Sequence, residues 1–284
     1  MCDYNKEGKF NNRCLENEHE VLRSYMKDYT LSFVKKIKSF SSELYLLRYN
    51  TSGAASKSIS SKYVIMKIIE DDVNPSSIER EVCNYIKAYV NADAAPKVYD
   101  YWRCKNNIGR CVIITDYFPM TLKKYLDENT KIEIKDEASF IKALYIMRYC
   151  VNVIFKIIKL NVLANIYHLD LHPENIVVNT ITSETYFVDF AYSEVSLNTP
   201  KNKDFIIFNR YLKEEYVESN NTKNEMIKLF CALLEDYISG NKIFPESKNL
   251  VDAFCKKIND CIKESLLSYY QNNKQYLKIV NRLF

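Results

Sequence analysis

The first part of the chain carries its apolar positions in short runs rich in β-branched and aromatic residues, a pattern that indicates β-strands. Five runs have this character: residues 29–40, 43–50, 62–69, 97–104 and 110–118. Turn-forming segments separate them, among them a serine-rich turn at residues 39–42 and the sequence KNNIG before the last run. The pattern therefore predicts five strands within the first 118 residues.

Helical spacing appears once among these strands and dominates the chain after them. Residues 75–91 place apolar side chains three and four positions apart. These side chains are Ile78, Val82, Tyr85, Ile86 and Tyr89. From Thr121 onward the pattern predicts a short helix at 121–128, a long apolar helix at 137–164 and mostly helical residues from 200 to 284. The switch near residue 117 predicts an α+β fold whose second half is helical.

Composition and charge narrow the class of protein. The net charge of +4 is spread along the chain, so nothing indicates a nucleic-acid partner. The amino terminus lacks the apolar stretch of a secretory signal. The most apolar helical run is interrupted by Arg148, Lys156 and Lys159, which argues against a membrane span. We expect a soluble intracellular protein.

The nine cysteines are scattered and form no C-x-x-C pair, so they indicate neither a zinc site nor a disulfide framework. We expect them to be small buried hydrophobic residues in a reducing compartment. Only four glycines are present, where average usage would give roughly twenty. A site that depends on a glycine-rich loop must therefore be built differently in this chain.

Residues 168–189 carry the most specific chemistry in the sequence. His168 and Asp170 are followed by Asn175, a strand IVVN, a turn TITSET and a strand YFVDFA in which Asp189 lies near the end. A carboxylate, a carboxamide and a second carboxylate around one hairpin suit phosphoryl transfer, with Asp170 as the base and Asn175 and Asp189 as Mg²⁺ ligands.

A lysine and a glutamate upstream fit the same reaction. Lys67 lies among apolar neighbours in the strand KYVIMKII, and the helix that follows offers Glu79 and Glu81 as partners that could direct it onto phosphate oxygens. Glu81 is favoured, because the apolar residues after it belong to the core face of the helix.

Together these motifs resemble the protein kinases. V-I-M-K is similar to the lysine strand of that family, H-L-D-L-H-P-E-N to its catalytic loop and V-D-F-A to its metal-binding D-F-G. VIITDYF looks like the last strand and hinge, with Thr115, Asp116 and Tyr117 at the hinge. The resemblance covers about residues 31–195, with the motifs in the family's order.

The resemblance implies a bilobal α+β fold that binds ATP and Mg²⁺ between its lobes. Residues 1–30 would form an N-terminal extension, 31–116 a small lobe with a five-stranded antiparallel sheet and one helix, and 117–284 a larger helical lobe. The implied activity is transfer of the γ-phosphate of ATP to Ser or Thr hydroxyls of protein substrates.

Several positions depart from the family pattern. The hairpin in the place of the glycine-rich loop contains no glycine, so backbone amides near Ser39 and Ser42 are expected to cover the phosphates. Leu169 replaces the arginine of the catalytic loop, which argues against control by a phosphorylated activation loop. His172 replaces the lysine found two residues after the base in serine/threonine kinases, and Ala191 replaces the last D-F-G glycine.

Two other functions remain open. The loop D-L-H-P-x-N and the short segment after Asp189 also resemble small-molecule phosphotransferases such as the aminoglycoside and choline kinases. A pseudokinase that acts as a binding module is favoured by the missing glycines but not by the retained Lys67, Asp170 and Asn175. A zinc site at His168 and His172 is rejected, because Pro173 argues against a helix there.

The divergent motifs, small size and AT-rich-looking composition resemble kinases encoded by large DNA viruses, poxviruses among them. This resemblance implies work in the cytoplasm of an infected cell or packaging in virions. The sequence indicates neither the substrate nor the oligomeric state.

Overall fold

The computed structural model describes residues 31–37, 43–49, 62–70, 75–103, 110–129, 133–195, 202–218, 225–239, 245 and 248–284. These residues divide into two compact units. The first unit comprises the described residues within 1–89 and 96–117, and the second comprises residues 90–95 and those described within 118–284. The predicted extension at residues 1–30 and the serine-rich turn at 39–42 lie outside the described residues.

A five-stranded antiparallel sheet forms most of the first unit, in the order β1-β2-β3-β5-β4. Its strands are β1 (Leu31–Ile37), β2 (Glu43–Tyr49), β3 (Lys62–Glu70), β4 (Val98–Arg103) and β5 (Arg110–Asp116). Each strand overlaps one of the five runs predicted from β-branched and aromatic content. The prediction of an α+β fold with a five-stranded antiparallel sheet is therefore confirmed.

The central strand β3 separates its side chains by the two-residue period of a strand. Val64, Met66 and Ile68 are buried on one face. Lys67 belongs to the other face and is paired in register with Leu44 on β2 and Ile113 on β5. The Lys67 side chain therefore lies on the opposite face of the strand from Val64, Met66 and Ile68.

In the described part of this unit one helix is present, α1 (Pro75–Ala92), whose last three residues are assigned to the second unit. Ile78, Val82, Tyr85 and Ala88 are buried along one face at helical spacing. Of the apolar residues predicted for this face, Ile86 and Tyr89 are only partly buried. The core face is therefore narrower than predicted, and the small Ala88 completes it.

One prediction about the cysteines, that they form no disulfide, is wrong. Cys83 is disulfide-bonded, although the cysteine spacing indicated no disulfide. Cys150, Cys231 and Cys255 are free and buried, and Cys111 is buried as well, as expected for small hydrophobic side chains. Disulfide formation depends on proximity in space, which scattered spacing in the sequence does not reveal.

The second unit combines a small sheet with six α-helices in its described part. The antiparallel strands, in the order β6-β7-β8, are β6 (Met120–Thr121), β7 (Ile176–Asn179) and β8 (Glu184–Phe187). The helices are α2 (Leu122–Asn129), α3 (Glu137–Lys159), α4 (Lys203–Tyr216), α5 (Glu225–Ser239), α6 (Val251–Tyr269) and α7 (Lys274–Leu283). Short helical turns occur at Leu160–Ala164, Pro173–Asn175 and Lys248–Leu250.

Helix α3 forms the centre of this unit. Its first turn is closed by a capping box, in which Asp136 accepts a hydrogen bond from Ser139 N at 2.8 Å. Apolar side chains then recur every three or four positions and are fully or nearly fully buried. They are Phe140, Leu144, Met147, Val151, Ile154 and Ile158.

The carboxyl end of α3 differs from the prediction of one helix over residues 137–164. The α-helix ends at Lys159, and Leu160–Ala164 continue as one π-helical turn. Asn165 then ends the helix with a φ of 55°, a left-handed conformation that asparagine tolerates better than most residues. The wider turn places Asn161 in the buried interior, where it contacts α4.

Within the described ranges, every helix is too short or too polar to cross a lipid bilayer.

Candidate functional site

Asp170 and Asn175 are joined by side-chain hydrogen bonds in the loop before β7. Asn175 Nδ2 donates to the main-chain oxygen and to carboxylate Oδ2 of Asp170, each at 3.0 Å. His172 N donates to Asp170 O at 3.0 Å, and Asn175 N donates to His172 O at 2.9 Å. Because the amide nitrogen of Asn175 is engaged with Asp170, its amide oxygen Oδ1 is the atom that can serve a cation. The Asp170 side chain remains 28% exposed and is accessible to an acceptor.

A buried carboxylate on α4 fixes the backbone just before Asp170. Asp204 accepts a hydrogen bond from His168 N at 3.0 Å and one from Leu169 N at 2.8 Å. Asn161 Nδ2 is a third donor to the same carboxylate, at 3.3 Å. Leu169 has a φ of 65°, which is costly for a residue with a Cβ atom. Asp204 therefore stabilises a backbone conformation that this loop would not adopt alone.

Burial raises the pKa of Asp204 to about 6, and the N–H donors of Leu169 and His168 oppose this rise. The sequence analysis missed this residue, because an acidic residue in the first turn of a helix is ordinarily explained by the helix dipole. One signal could have found it. Asp204 directly precedes Phe205 at the start of an apolar run, and Phe205 and Phe208 are fully buried, so the carboxylate enters the core with them.

Asp189 follows the β7–β8 hairpin and lies next to this loop through backbone hydrogen bonds. Val188 N donates to Asn175 O at 2.9 Å. The sequence predicted a strand that reaches Asp189. This prediction is wrong at the carboxyl end, because β8 ends at Phe187. Asp189 has a φ of 64°, which no strand accommodates. The left-handed residue turns the chain directly after Val188.

His168 packs in the interior of the second unit beneath the loop that holds Asp170. Its side chain is fully buried and contacts the rings of Phe187 and Phe190. Its Nε2 lies 3.0 Å from the main-chain oxygen of Val188. The histidine therefore connects the loop that holds Asp170 to the residue before Asp189.

His172 lies beside Asp170. Its Nε2 is 3.6 Å from Asp170 Oδ2, and its ring is 5.5 Å from that of Tyr211. The imidazole is 23% exposed, so it borders the open side of the carboxylate. An acceptor that approaches Asp170 from that side would contact His172 as well.

In the first unit, Lys67 and Glu81 form an ion pair. Lys67 Nζ lies 2.6 Å from Glu81 Oε1, and the two side chains are 14% and 8% exposed. The partner is thus the glutamate that the sequence analysis favoured over Glu79. A charge-assisted hydrogen bond in a partly buried setting fixes the direction of the ammonium group.

The three predicted hinge residues lie at the end of β5 and just after it. Asp116 N donates to Lys97 O at 3.0 Å, and its carboxylate accepts from Tyr99 Oη at 2.7 Å. Tyr117 N donates to Tyr63 O at 3.4 Å. Thr115 is buried and hydrogen-bonds the side chain of Tyr85 on α1. Burial raises the pKa of Tyr85 and keeps its hydroxyl neutral.

Asn175 Oδ1 and the Asp189 carboxylate are hard oxygen donors, the ligand type that Mg²⁺ prefers. Among the described residues, no group of three or more His, Cys, Asp or Glu side chains could hold a metal ion. A cation at this site would therefore take its remaining ligands from water and phosphate oxygens. The predicted phosphate-covering residues Ser39 and Ser42 lie outside the described residues.

Comparison with known proteins gives no family assignment. No protein-family model matches the chain, and no curated protein matches it.

Proposed function

We propose that the protein is an ATP-dependent phosphotransferase with a protein-kinase-like fold. The observation that carries this proposal is the loop around Asp170. Asn175 Nδ2 holds the Asp170 carboxylate while its Oδ1 can serve a cation, and Val188 N ties Asp189 to the same loop. A base and one cation ligand joined in one loop, with a second carboxylate one residue after the backbone bond from Val188 N to that loop, match the needs of phosphoryl transfer.

Each residue has a defined role in this proposal. Asp170 orients the acceptor hydroxyl and takes its proton, and Asn175 holds the carboxylate in place for that task. Asn175 Oδ1 and Asp189 would hold Mg²⁺, which when bound neutralises charge on the phosphates. Lys67, held by Glu81, would bind phosphate oxygens of the nucleotide.

The first candidate acceptor is a Ser or Thr hydroxyl of a protein substrate. The number of residues between the proposed hinge and Asp170 supports it, because small-molecule phosphotransferases of this class usually insert extra helices there. Viral origin and cytoplasmic location stay predictions from the sequence.

One structural observation favours a small-molecule acceptor as the second candidate. Five residues after Asp189 the chain already pairs with the residue before His168. Glu194 and Tyr167 form two backbone hydrogen bonds of 2.9 Å each. Helix α4 then begins at Lys203 and its Asp204 binds the catalytic loop. So short a segment has little room for the platform on which a peptide substrate is aligned.

The test is transfer of labelled γ-phosphate from Mg-ATP by the full chain. One series of reactions contains a mixed protein substrate, and a second contains an aminoglycoside or choline. Label in protein supports the first candidate, and label in the small molecule supports the second. Nucleotide binding that requires Mg²⁺ but leads to no transfer would indicate a binding module, and no binding at all would overturn the proposal.

Asp189→Asn is expected to weaken Mg²⁺-dependent ATP binding about tenfold or more, which corresponds to about 1.4 kcal/mol. The reason is that a neutral amide is a poorer Mg²⁺ ligand than a carboxylate. Calorimetric titration with ATP, with and without Mg²⁺, measures the effect. Equal Mg²⁺ dependence in the variant and the wild type would contradict the assignment of Asp189.

Glu81→Gln is expected to raise the KM for ATP about tenfold, because the direction of the Lys67 ammonium is set by the Glu81 carboxylate. Glu79→Gln is the matched control, since it removes a carboxylate one half-turn away on the same helix. Steady-state kinetics at varied ATP measure both variants. A similar rise in KM in the Glu79 variant would mean that general charge, rather than the ion pair, affects nucleotide binding.

A further inference from the structure

Lys156 is a buried cation in the last turn of helix α3. The residue is 8% exposed and lies on α3 between Ile154 and Ile157, both buried. Its ammonium donates to the main-chain oxygen of Asp93 and, at 2.7 Å, to carboxylate Oδ2 of the same residue. Burial of a charge is costly unless it is paired. The buried ammonium group of Lys156 is therefore stabilised by its pairing with Asp93.

The segment that Lys156 binds contacts strand β8 directly. Asp93 has a φ of 48°, and the next residue, Ala94, is fully buried. Ala94 O accepts a hydrogen bond from Phe187 N at 2.7 Å. Lys156 also contacts β8 itself, because its Nζ lies 4.6 Å from the centre of the Tyr186 ring, a favourable cation–π distance. One ammonium group thus binds both the 93–94 segment and the strand beside it.

Strand β8 leads directly into the candidate cation ligand. Phe187 is its last residue, Val188 is bound to Asn175 and His168, and Asp189 follows with its left-handed backbone. The hydrogen bond from Phe187 N to Ala94 O therefore directly precedes the two bonds that hold Val188, after which the chain turns at Asp189. A shift of the 93–94 segment would be transmitted to Val188 and Asp189 through this bond.

We infer that Lys156 is a positioning residue, which acts through Asp93, Ala94 and Phe187 to fix the backbone that presents Asp189. The inference rests on the proposed function for its catalytic consequence. Its structural part concerns only how the end of β8 is held. The role is specific to the cation, since an apolar residue at 156 would suit the surrounding core equally well but would leave the 93–94 segment unbound.

The test compares Lys156→Met, Lys156→Arg and Lys159→Met in the full chain. Lys156→Met removes the cation and keeps much of the stem, and Lys156→Arg restores a cation. Lys159→Met is the matched control, because Lys159 is on the same helix but pairs with Asp252. Asp93→Asn breaks the ion pair from the other end without altering the core, and asparagine tolerates the positive φ of that residue.

Hydrogen exchange of the Phe187 and Val188 amides is the first readout, because it requires no activity. Lys156→Met and Asp93→Asn are expected to speed exchange of the Phe187 amide at least tenfold, with α3 amides unchanged, whereas Lys156→Arg and Lys159→Met stay close to wild type. Unchanged exchange at Phe187, or a uniform increase across the second unit, would overturn the inference.

Transfer kinetics are the second readout. Lys156→Met is expected to raise the KM for Mg-ATP about tenfold while the KM for the acceptor stays unchanged, with recovery in Lys156→Arg. A fall in kcat alone, or no recovery in the arginine variant, would overturn the role toward Asp189. If the wild type transfers no phosphate, the proposed function fails, and the exchange measurements still decide whether Lys156 holds β8.

Discussion

Asp170→Asn is expected to lower the rate of the proposed phosphoryl transfer by about 10²–10⁴-fold, the usual contribution of a positioned acid or base, and to leave the fold intact. Asparagine has nearly the same shape and retains an oxygen that can accept the hydrogen bond from Asn175 Nδ2, which lies 3.0 Å from the carboxylate in the wild type. What it lacks is the negative charge that orients the acceptor hydroxyl and takes its proton. The loop therefore survives while its chemistry is lost.

Single-turnover transfer of labelled γ-phosphate measures this effect, and thermal unfolding confirms that the variant is folded. Glu174→Gln is the matched control, because it neutralises an exposed carboxylate in the same loop. We expect that control to transfer at the wild-type rate. Normal transfer by Asp170→Asn would show that another group acts as the base.

Asp204→Asn lowers the free energy of unfolding by about 1–3 kcal/mol at pH 7.5, the cost of leaving one buried N–H donor without an acceptor. Asp204 accepts hydrogen bonds from both His168 N and Leu169 N. An asparagine side chain has one oxygen, which can accept from only one of these two backbone N–H groups. Its NH₂ group would face the second N–H group, which then has no acceptor. The positive φ of Leu169 then lacks the bond that stabilises it, so we also expect transfer to fall about 10²-fold through misplacement of Asp170.

The effect of Asp204 on stability depends on pH in a defined direction. Its pKa in the folded protein, about 6, lies above its ordinary value of 3.8, so the folded state holds the proton more tightly. Protonation therefore stabilises the fold fully below about pH 4, and this contribution is lost as the pH rises through 6. Asparagine does not titrate. The free energy of unfolding of the wild type minus that of the variant should therefore be about 1.4 kcal/mol larger at pH 5 than at pH 7.5.

Urea unfolding of the wild type and of Asp204→Asn at these two pH values measures the difference. Other titrating groups affect both proteins alike and cancel in the comparison. Asp260→Asn, which changes an exposed aspartate on α6, is the control for the loss of one carboxylate. A difference in the free energy of unfolding between wild type and Asp204→Asn that is the same at both pH values, or larger at pH 7.5, would contradict a raised pKa for Asp204.

The grouping of the candidate residues could be predicted where they are neighbours in the chain, and could not where they are distant in it. His168, Asp170 and Asn175 lie within eight residues, so their grouping in one loop could be read directly from the motif. The ion pair of Lys67 with Glu81 was also accessible, because helical spacing identifies which glutamate accompanies the core face. Asp204 lies 34 residues after Asp170, and the apolar run that follows it indicates burial but not which loop its carboxylate binds.

The sequence by itself determined the order of elements and the residue types available for chemistry. β-branched runs specify strands and three-to-four spacing specifies helices, because side-chain sterics and the burial of apolar faces act over short stretches of chain. Only the tertiary structure decided which backbone conformations those residues adopt. Leu169 and Asp189 have positive φ values that are unfavourable locally and persist because distant groups hold them.

The same distinction explains Lys156. In the sequence it is a charge that interrupts an apolar helix. In the structure it is a buried donor to Asp93, a residue 63 positions earlier in the chain. Pairing of a buried charge is decided by which groups the fold brings within a few ångströms, and that information exists only once the chain has folded.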